Sequence, residues 1–295
     1  MIEVSHLTKL FCALRAVDDL SFCAQPGRVT GFLGPNGAGK TTTLRAALAL
    51  IRPNLGQVTF AGQPYRAIAK PGSRIGVALE ASSFHPGRSG LNHLMTMAPG
   101  IGASRQHCQK TLEQVGLAPA AKKRVGQYST GMRGRLALAG ALLGDPEYLL
   151  LDEPTNGLDP EGIFWVRQLL RALAAEGRTV LISSHLLGEV ENTVDDVVVI
   201  NCGRLVHASS LDEMRQLAVP RSLVQAVDPA AFLALATRLG WATTTNPDNS
   251  CTVEGPDAAT IGHAAFQAQI ELQQLATLRQ GLEQLYFAMT EGVPS

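Results

Sequence analysis

A glycine-rich loop at residues 34–41 constrains this chain more than any other feature of its sequence. The loop reads Gly-Pro-Asn-Gly-Ala-Gly-Lys-Thr and fits the pattern G-x-x-x-x-G-K-[ST]. Residues 29–33 before it predict a short buried strand, and the Ala/Leu-rich residues 42–50 after it predict a helix that ends near Pro53. A strand, a glycine loop and a helix in this order are typical of a phosphate-binding loop. The alternative is an ordinary glycine-rich loop that opens a helix.

The residues of this loop predict binding of a nucleoside triphosphate. Gly34, Gly37 and Gly39 lack a Cβ, so the backbone can wrap and approach a phosphate. The loop N–H groups and the helix N-terminus then face the anion. Lys40 adds a positive charge for the β- and γ-phosphates, and the Thr41 hydroxyl is placed to ligate Mg²⁺. The other members of the predicted site are Pro35, Asn36, Ala38 and Thr42.

Two carboxylates follow a fully apolar run at residues 148–151, which predicts a strand in a buried parallel sheet. Asp152 is expected to hold Mg²⁺ directly or through water, as the corresponding aspartate does in P-loop NTPases. Glu153 is then placed to polarise an attacking water as a general base. The alternative is a pair of charged residues that simply leave a strand. His185, beyond a strand predicted at residues 179–182, is placed either to contact a phosphate or to cap the next helix.

The overall composition narrows the possible partners and the compartment. The chain has 295 residues with 25 basic and 25 acidic side chains, so its net charge does not indicate nucleic-acid binding. Five scattered cysteines without metal-binding spacing favour reduced thiols in a cytosol. The N-terminus lacks a signal-peptide pattern, and the longest apolar run is far shorter than the roughly 20 residues of a membrane helix. We therefore expect a chain that does not span a membrane by itself.

A mainly helical insert is predicted between a strand at residues 74–80, which ends in Glu80, and the strand at residues 148–151. Ser129 can cap the last helix of this insert, at residues 132–143. A helix N-terminus with a free hydroxyl and a glycine, here Gly131, is also an anion site, and both interpretations stay open. The other two helices are expected at residues 91–97 and 104–117, and three histidines without ligand spacing are interpreted as loop or surface residues: His85, His93 and His107.

The pattern changes after Pro220. Alternating strands and helices follow in the order β-α-β-β-α-β, which is a split βαβ arrangement of the ferredoxin-like kind, with a closing helix at residues 280–290. We see no catalytic cluster there. The predicted fold class is therefore an α/β P-loop NTPase core over residues 1–217, with a helical subdomain at about residues 82–144, and a small accessory α+β domain over residues 221–295.

Together these motifs resemble the ATP-binding subunits of ABC transporters over about residues 2–215. Residues 34–41 correspond to Walker A, and residues 149–153 to Walker B with its catalytic glutamate. Tyr-Ser-Thr-Gly-Met at residues 128–132 occupies the signature position, and Gly-Leu-Asp at residues 157–159 is similar to the D-loop. The resemblance implies ATP hydrolysis with Mg²⁺, and it makes His185 the switch histidine at the γ-phosphate. Phe11, which alone reads as a packing aromatic in the first connection, falls at the adenine-stacking position.

Within this family the chain is similar to drug-exporter ATPases of the bacitracin, lantibiotic and daunorubicin type. The resemblance implies a head-to-tail dimer, with itself or a homologous ATPase, in which Ser129, Gly131 and Asp159 face the ATP bound by the other subunit. It also implies a separate integral membrane permease, received by the groove around residues 80–90 at the inner face of the cell membrane. Glu80 would be a further oxygen ligand for Mg²⁺.

Four positions depart from the family pattern. Glu80 replaces the usual glutamine and adds negative charge near the phosphates. Thr130 replaces the first signature glycine, where a Cβ disfavours positive φ, and Met132 replaces a glutamine. Gly134 in the following helix costs on the order of 1 kcal/mol relative to alanine. These departures point to slow hydrolysis. The rival hypotheses are a soluble ABC ATPase acting on ribosomes or DNA, and an immunity or regulatory module that holds ATP and a drug without pumping.

Overall fold

The structure, a computed structural model, describes residues 1–79, 84–217, 219–278 and 286. Its residues form two compact units, and the boundary between them along the chain falls between Leu211 and Asp212. Among the described residues, no helix combines the length and the apolar character needed to cross a bilayer.

The first unit contains an antiparallel sheet and a larger, mainly parallel sheet. Their strands are β1 (Ile2–Phe11), β2 (Leu14–Ala24), β3 (Val29–Leu33), β4 (Leu55–Phe60), β5 (Gln63–Pro64), β6 (Ile75–Ala78), β7 (Tyr148–Asp152), β8 (Thr179–Ser184), β9 (Asp196–Asn201) and β10 (Arg204–Ser210). The antiparallel sheet has the order β2-β1-β4-β5, and the larger sheet has the order β10-β9-β3-β8-β7-β6. In the larger sheet β6, β7, β8, β3 and β9 run parallel, and only the edge strand β10 is antiparallel.

The parallel strands are almost continuously apolar because both faces of the sheet are covered. Every residue of β3 is buried, as is the apolar part of β7. Phe32 and Leu150 from these strands join a core with Phe60 and Leu44, which come from the antiparallel sheet and from the first helix. The carboxyl ends of the parallel strands therefore share one edge of a rigid, buried sheet. This confirms the predicted α/β fold class.

The helices of the first unit lie where the predicted connections require them. They are α1 (Lys40–Ala47), α2 (Gly90–Ile101), α3 (Arg105–Gln114), α4 (Thr130–Leu142), α5 (Pro160–Ala175) and α6 (Leu187–Val190), and α7 (Leu211–Gln216) spans the division between the units. The helical insert is present as α2, α3 and α4, between β6 and β7. The strand predicted to reach Glu80 ends at Ala78, and Glu80 itself lies outside the described residues.

The second unit is a small antiparallel sheet with two helices. Its elements are β11 (Arg221–Ala226), α8 (Pro229–Arg238), β12 (Ala242–Thr245), β13 (Cys251–Glu254), α9 (Ala258–Gln267) and β14 (Leu272–Leu278). The strand order β12-β13-β11-β14, antiparallel throughout, is the ferredoxin-like arrangement predicted from the sequence. Its core centres on Phe232, Val253 and Ile261. The helix predicted at residues 280–290 lies outside the described residues, apart from Tyr286.

Candidate functional site

The glycine loop connects the carboxyl end of β3 to the first residue of α1. Gly37 and Gly39 have φ of 84° and 104°, a region that favours glycine. A Cβ on Gly39 would collide with the carbonyl oxygen of Ala16, and a Cβ on Gly34 would collide with that of Ile200. Two of the three glycines are therefore required by close packing of the protein on itself. This second reason depends on Ala16 and Ile200, which lie far from the loop in sequence, and approach to a phosphate alone does not include it.

Lys40 lies inside the loop that precedes it. Its side chain is only 6% exposed, and Nζ donates hydrogen bonds to the carbonyl oxygens of Gly34 at 2.6 Å and Pro35 at 3.2 Å. Burial lowers the pKa of Lys40, while the nearby carboxylates of Glu153 and Asp152 act in the opposite direction. The result is a cation held between loop carbonyls and carboxylates at the end of the sheet.

Two of the three predicted Mg²⁺ ligands, Thr41 and Asp152, meet although they are far apart in sequence, and the third, Glu80, lies outside the described residues. The Thr41 hydroxyl donates a hydrogen bond of 2.7 Å to Oδ2 of Asp152. One oxygen comes from the start of α1 and the other from the end of β7, and both are hard oxygen donors. Mg²⁺ in phosphate-binding sites is held by few protein ligands together with substrate phosphates. These residues therefore fit the ion, and within the described part of the chain no cluster of three or more His, Cys, Asp or Glu side chains competes for it.

Glu153 and His185 lie next to each other because each directly follows one of two neighbouring parallel strands, β7 and β8. The Nδ1 atom of His185 is 2.9 Å from Oε2 of Glu153, and Oε1 of Glu153 is 3.8 Å from Nζ of Lys40. Glu153 has φ of 49°, the left-handed region that costs free energy for a residue with a Cβ. This contact does not favour the helix-capping alternative for His185, because the imidazole ring is directed to Glu153, the predicted base.

The signature and D-loop segments share a different surface. Ser129 caps α4, with Oγ accepting a hydrogen bond of 3.2 Å from the Met132 N–H. Asp159 caps α5 in the same way, accepting from the Gly162 N–H at 2.9 Å. Both segments line a cleft of about 570 Å³, and none of the residues 34–41 is among its described lining. Within one chain, the signature and the glycine loop therefore do not form one pocket.

Thr130 does not have the positive φ that its place at a signature glycine suggested. It is the first residue of α4 and is not among the residues with positive φ, so its Cβ imposes no such strain. Its methyl group instead faces Gly157 of the D-loop, where an added Cβ would approach it to 2.8 Å. The departure at position 130 is accommodated by a glycine across the cleft.

Phe11 ends β1 and is 45% exposed, so its ring is not the core-packing residue that the segment alone suggested. Lys9 Nζ lies 4.9 Å from the ring centroid. The strand that follows is tied to the β9–β10 turn by Asp18, which receives hydrogen bonds of 2.7 Å from both Arg15 and Arg204. These donors hold the pKa of Asp18 below its ordinary value.

One residue of this site escaped the sequence analysis. Ser183 is fully buried in β8, directly opposite Asp152 in the strand register. Its hydroxyl donates to Oδ1 of Asp152 and accepts from the Glu153 N–H at 3.1 Å. The available signal was a serine directly after the apolar run of the strand predicted at residues 179–182, between that strand and His185.

Three known protein families match parts of this chain. The profile of the ABC transporter family matches residues 17–156. A domain of unknown function, DUF8746, matches residues 220–283, and a family described as "AAA domain, putative AbiEii toxin, Type IV TA system" matches residues 124–191.

Individual relatives extend the match. The bacitracin transport ATP-binding protein BcrA of Bacillus licheniformis is 42% identical over 73% of this chain and 72% of its own length. A Nod factor export ATP-binding protein I of Burkholderia pseudomallei (strain 1710b) is 36% identical over 76% and 73%. A solved ATP-binding subunit of an ABC transporter has a TM-score of 0.67 and 25% identity, over 73% of this chain and 92% of that one.

Fold and site thus define a P-loop ATPase. The chain belongs to the family of ABC transporter ATP-binding proteins. It is an ATP-binding subunit, and it hydrolyses ATP, as sequence analysis predicted.

Proposed function

We propose that this chain hydrolyses Mg·ATP to drive export of a drug, antibiotic or peptide through a separate membrane permease. The observation that carries the chemistry is the meeting of Lys40, Thr41, Asp152, Glu153 and His185 at one edge of the parallel sheet. The ends of β7 and β8 and the start of α1 supply these groups. The export assignment is supported by the likeness to the bacitracin transport and Nod factor export proteins.

In this proposal each residue of the site has a defined role. Lys40 and the loop N–H groups bind the phosphates. Thr41 and Asp152 hold the Mg²⁺, and Glu80 is predicted to supply a further oxygen ligand. Bound Mg²⁺ would neutralise charge on the phosphate oxygens. Glu153 takes the proton of the attacking water, and His185 orients Glu153 and contacts the γ-phosphate. Phe11, exposed at the end of β1, stacks on the adenine.

A second subunit completes the site. Ser129, Gly131 and Asp159 lie on a surface that does not include the glycine loop of the same chain, so they are available to an ATP bound elsewhere. A head-to-tail dimer places that surface over the ATP of the other copy. The free N–H groups at the start of α4 then meet a phosphate. The partner is a second copy or a homologous ATPase.

The permease is proposed to dock beside residues 80–90. A groove of about 410 Å³ there has a mainly apolar lining that includes Val77, Leu79, Phe84, Met97 and Leu136. Phe84 packs edge-on against His93, with ring centroids 4.9 Å apart. An apolar groove with a polar rim suits a short segment of a membrane protein. This docking would hold the chain at the inner face of the cell membrane.

The deciding experiment is affinity purification of tagged Glu153→Gln protein from gently solubilised membranes with ATP present. The variant is expected to keep ATP bound and to retain a polytopic membrane protein in stoichiometric amount. Lys40→Ala, which should not hold the phosphates, is the matched control and should recover less of that partner.

Ribosomal or other soluble partners alone would contradict the export proposal and favour a soluble ABC ATPase. Drug resistance that persists in a Glu153→Gln strain would instead favour an immunity or regulatory module.

A further inference from the structure

The Ser183 hydroxyl is hydrogen-bonded to two residues of the proposed site, Asp152 and Glu153. Ser183 lies in the middle strand of three, β3, β8 and β7, and is opposite Phe32 on one side and Asp152 on the other. Its side chain is fully buried. A serine hydroxyl can donate one hydrogen bond and accept others. Here the donation goes to Asp152 Oδ1 and the acceptance comes from the Glu153 N–H.

The first contact orients the Asp152 carboxylate. Oδ1 accepts from Ser183, whereas Oδ2 accepts from Thr41 at 2.7 Å. With one oxygen held by a buried hydroxyl, the carboxylate cannot rotate freely, and the other oxygen stays toward Thr41. Outer partners of this kind fix ligand geometry at metal sites.

The second contact supports the backbone of Glu153. That residue has φ of 49°, which is unfavourable for a side chain with a Cβ. Its N–H is shared between Ser183 Oγ at 3.1 Å and the Ser183 carbonyl oxygen at 3.3 Å. This anchor helps to keep the strained turn, and the turn brings Oε2 of Glu153 within 2.9 Å of His185.

We infer that Ser183 is a positioning residue that aligns both the Mg²⁺ ligand Asp152 and the general base Glu153. This inference rests on the proposed roles of those two residues. One buried oxygen atom thereby couples metal binding to the placement of the base. Ser183 takes no part in proton transfer and does not touch the nucleotide.

The chain offers a matched control for the loss of a buried hydroxyl. Thr30 lies in the adjacent strand β3, is also fully buried, and its Oγ1 has no hydrogen-bond partner among the described residues. Thr30→Val removes an unpaired hydroxyl, while Ser183→Ala removes one that holds two site residues. A purely structural effect of losing a buried oxygen would appear in both variants.

The test uses the full-length protein and three readouts: kcat, the KM for ATP, and the equilibrium affinity for a fluorescent ATP analogue with Mg²⁺ or with EDTA. Loss of an outer partner typically costs about 10- to 100-fold in metal affinity or activity. Ser183→Ala should lower kcat by about that factor and reduce the gain in affinity from Mg²⁺ by about tenfold. Affinity in EDTA should stay within about twofold of wild type, as should all readouts of Thr30→Val.

The inference is overturned if Ser183→Ala keeps both kcat and the Mg²⁺ effect, or if affinity falls equally in EDTA. Equal losses in Thr30→Val would also overturn it. Glu153→Gln and Asp152→Asn, measured in parallel, separate this result from the proposed function. If Glu153→Gln turns over normally or Asp152→Asn keeps the Mg²⁺ effect, the assigned roles fail; if both behave as assigned and Ser183→Ala is silent, only the positioning role fails.

Discussion

The carboxyl edge of the larger sheet and the C-terminal ferredoxin-like unit use similar elements with different results. In the first, β3, β7 and β8 are parallel, so their carboxyl ends meet, and the side chains of Lys40, Glu153 and His185 come within hydrogen-bonding or ion-pairing distance. In the second, all four strands pair antiparallel, so the carboxyl ends of strands that are neighbours in the sheet fall on opposite edges. Parallel pairing concentrates functional groups, and antiparallel pairing separates them.

The polar contacts of the two regions follow this difference. In the C-terminal unit, Arg221 pairs with Glu254 across neighbouring strands, and Asp248 accepts hydrogen bonds from Ser250 within one turn. The first contact joins two neighbouring strands, and the second stabilises a turn. At the larger sheet's edge, contacts such as Thr41 to Asp152 join residues 111 positions apart. The accessory role of the C-terminal unit stays a prediction, and the changes below test the difference between the two regions.

The largest effect is expected at the sheet edge, from Glu153→Gln. Removing the proposed general base should lower kcat for ATP hydrolysis by about 10²- to 10⁴-fold, because the amide cannot accept the proton of water. Nucleotide binding should persist. Steady-state phosphate release and equilibrium binding of an ATP analogue measure the two properties separately. Unchanged hydrolysis would remove Glu153 as the base.

A second prediction concerns the core of the C-terminal unit. Phe232 is 1% exposed, and Phe232→Ala should cost about 3–5 kcal/mol of the unfolding free energy of that unit. ATP hydrolysis should stay near the wild-type rate because the site residues all belong to the other unit. Chemical denaturation and ATPase assays check both statements.

Phe32→Ala is the matched change in the first unit, in the strand that leads into the glycine loop. It should lower hydrolysis as well as stability. If Phe232→Ala abolished hydrolysis, the distinction between a catalytic unit and an accessory unit would be wrong.

A smaller effect is expected from Phe11→Ala. Stacking of a base on an aromatic ring contributes about 1–3 kcal/mol, so the KM for ATP should rise about tenfold with little change in kcat. Inhibition by inorganic triphosphate, which has no base to stack, serves as the control and should be unaffected. An equal loss of affinity for both compounds would show that Phe11 supports the fold of the loop and does not contact adenine.

The smallest effect is expected from His93→Gln, on how the free energy of unfolding depends on pH. His93 lines the groove that is proposed for the permease. Burial, assisted by Arg88, lowers the pKa of His93 below its ordinary value of 6.5. As pH falls below that value, the unfolded chain takes up a proton that the folded chain resists, so stability is lost on acidification. His93→Gln should therefore lose less unfolding free energy than wild type between pH 7.5 and pH 5.5. The same loss in both proteins would contradict the lowered pKa.

Much of this protein could be predicted from local sequence patterns. The loop at residues 34–41, the carboxylates after the apolar run at residues 148–151 and the ferredoxin-like order after Pro220 all follow from propensity, periodicity and motif spacing. Such signals lie within short segments and need no partner strand to be recognised. The placement of Asp152 and Glu153 at the end of a buried strand was therefore accessible without coordinates.

Other features depended on contacts between distant segments. Packing against Ala16 and Ile200 explains Gly39 and Gly34. The helical start at Thr130 removes a strain that motif comparison suggested, and Phe11 is exposed and not a core residue.

The sequence by itself determined the class of fold, the nucleotide chemistry and the candidate site residues, because each is encoded in a contiguous motif. Only the tertiary structure decided which of those residues touch. Strand register sets Ser183 opposite Asp152 and brings His185 beside Glu153, and register is chosen by the packing of whole sheet faces. That choice is collective, so no single segment of the sequence contains it.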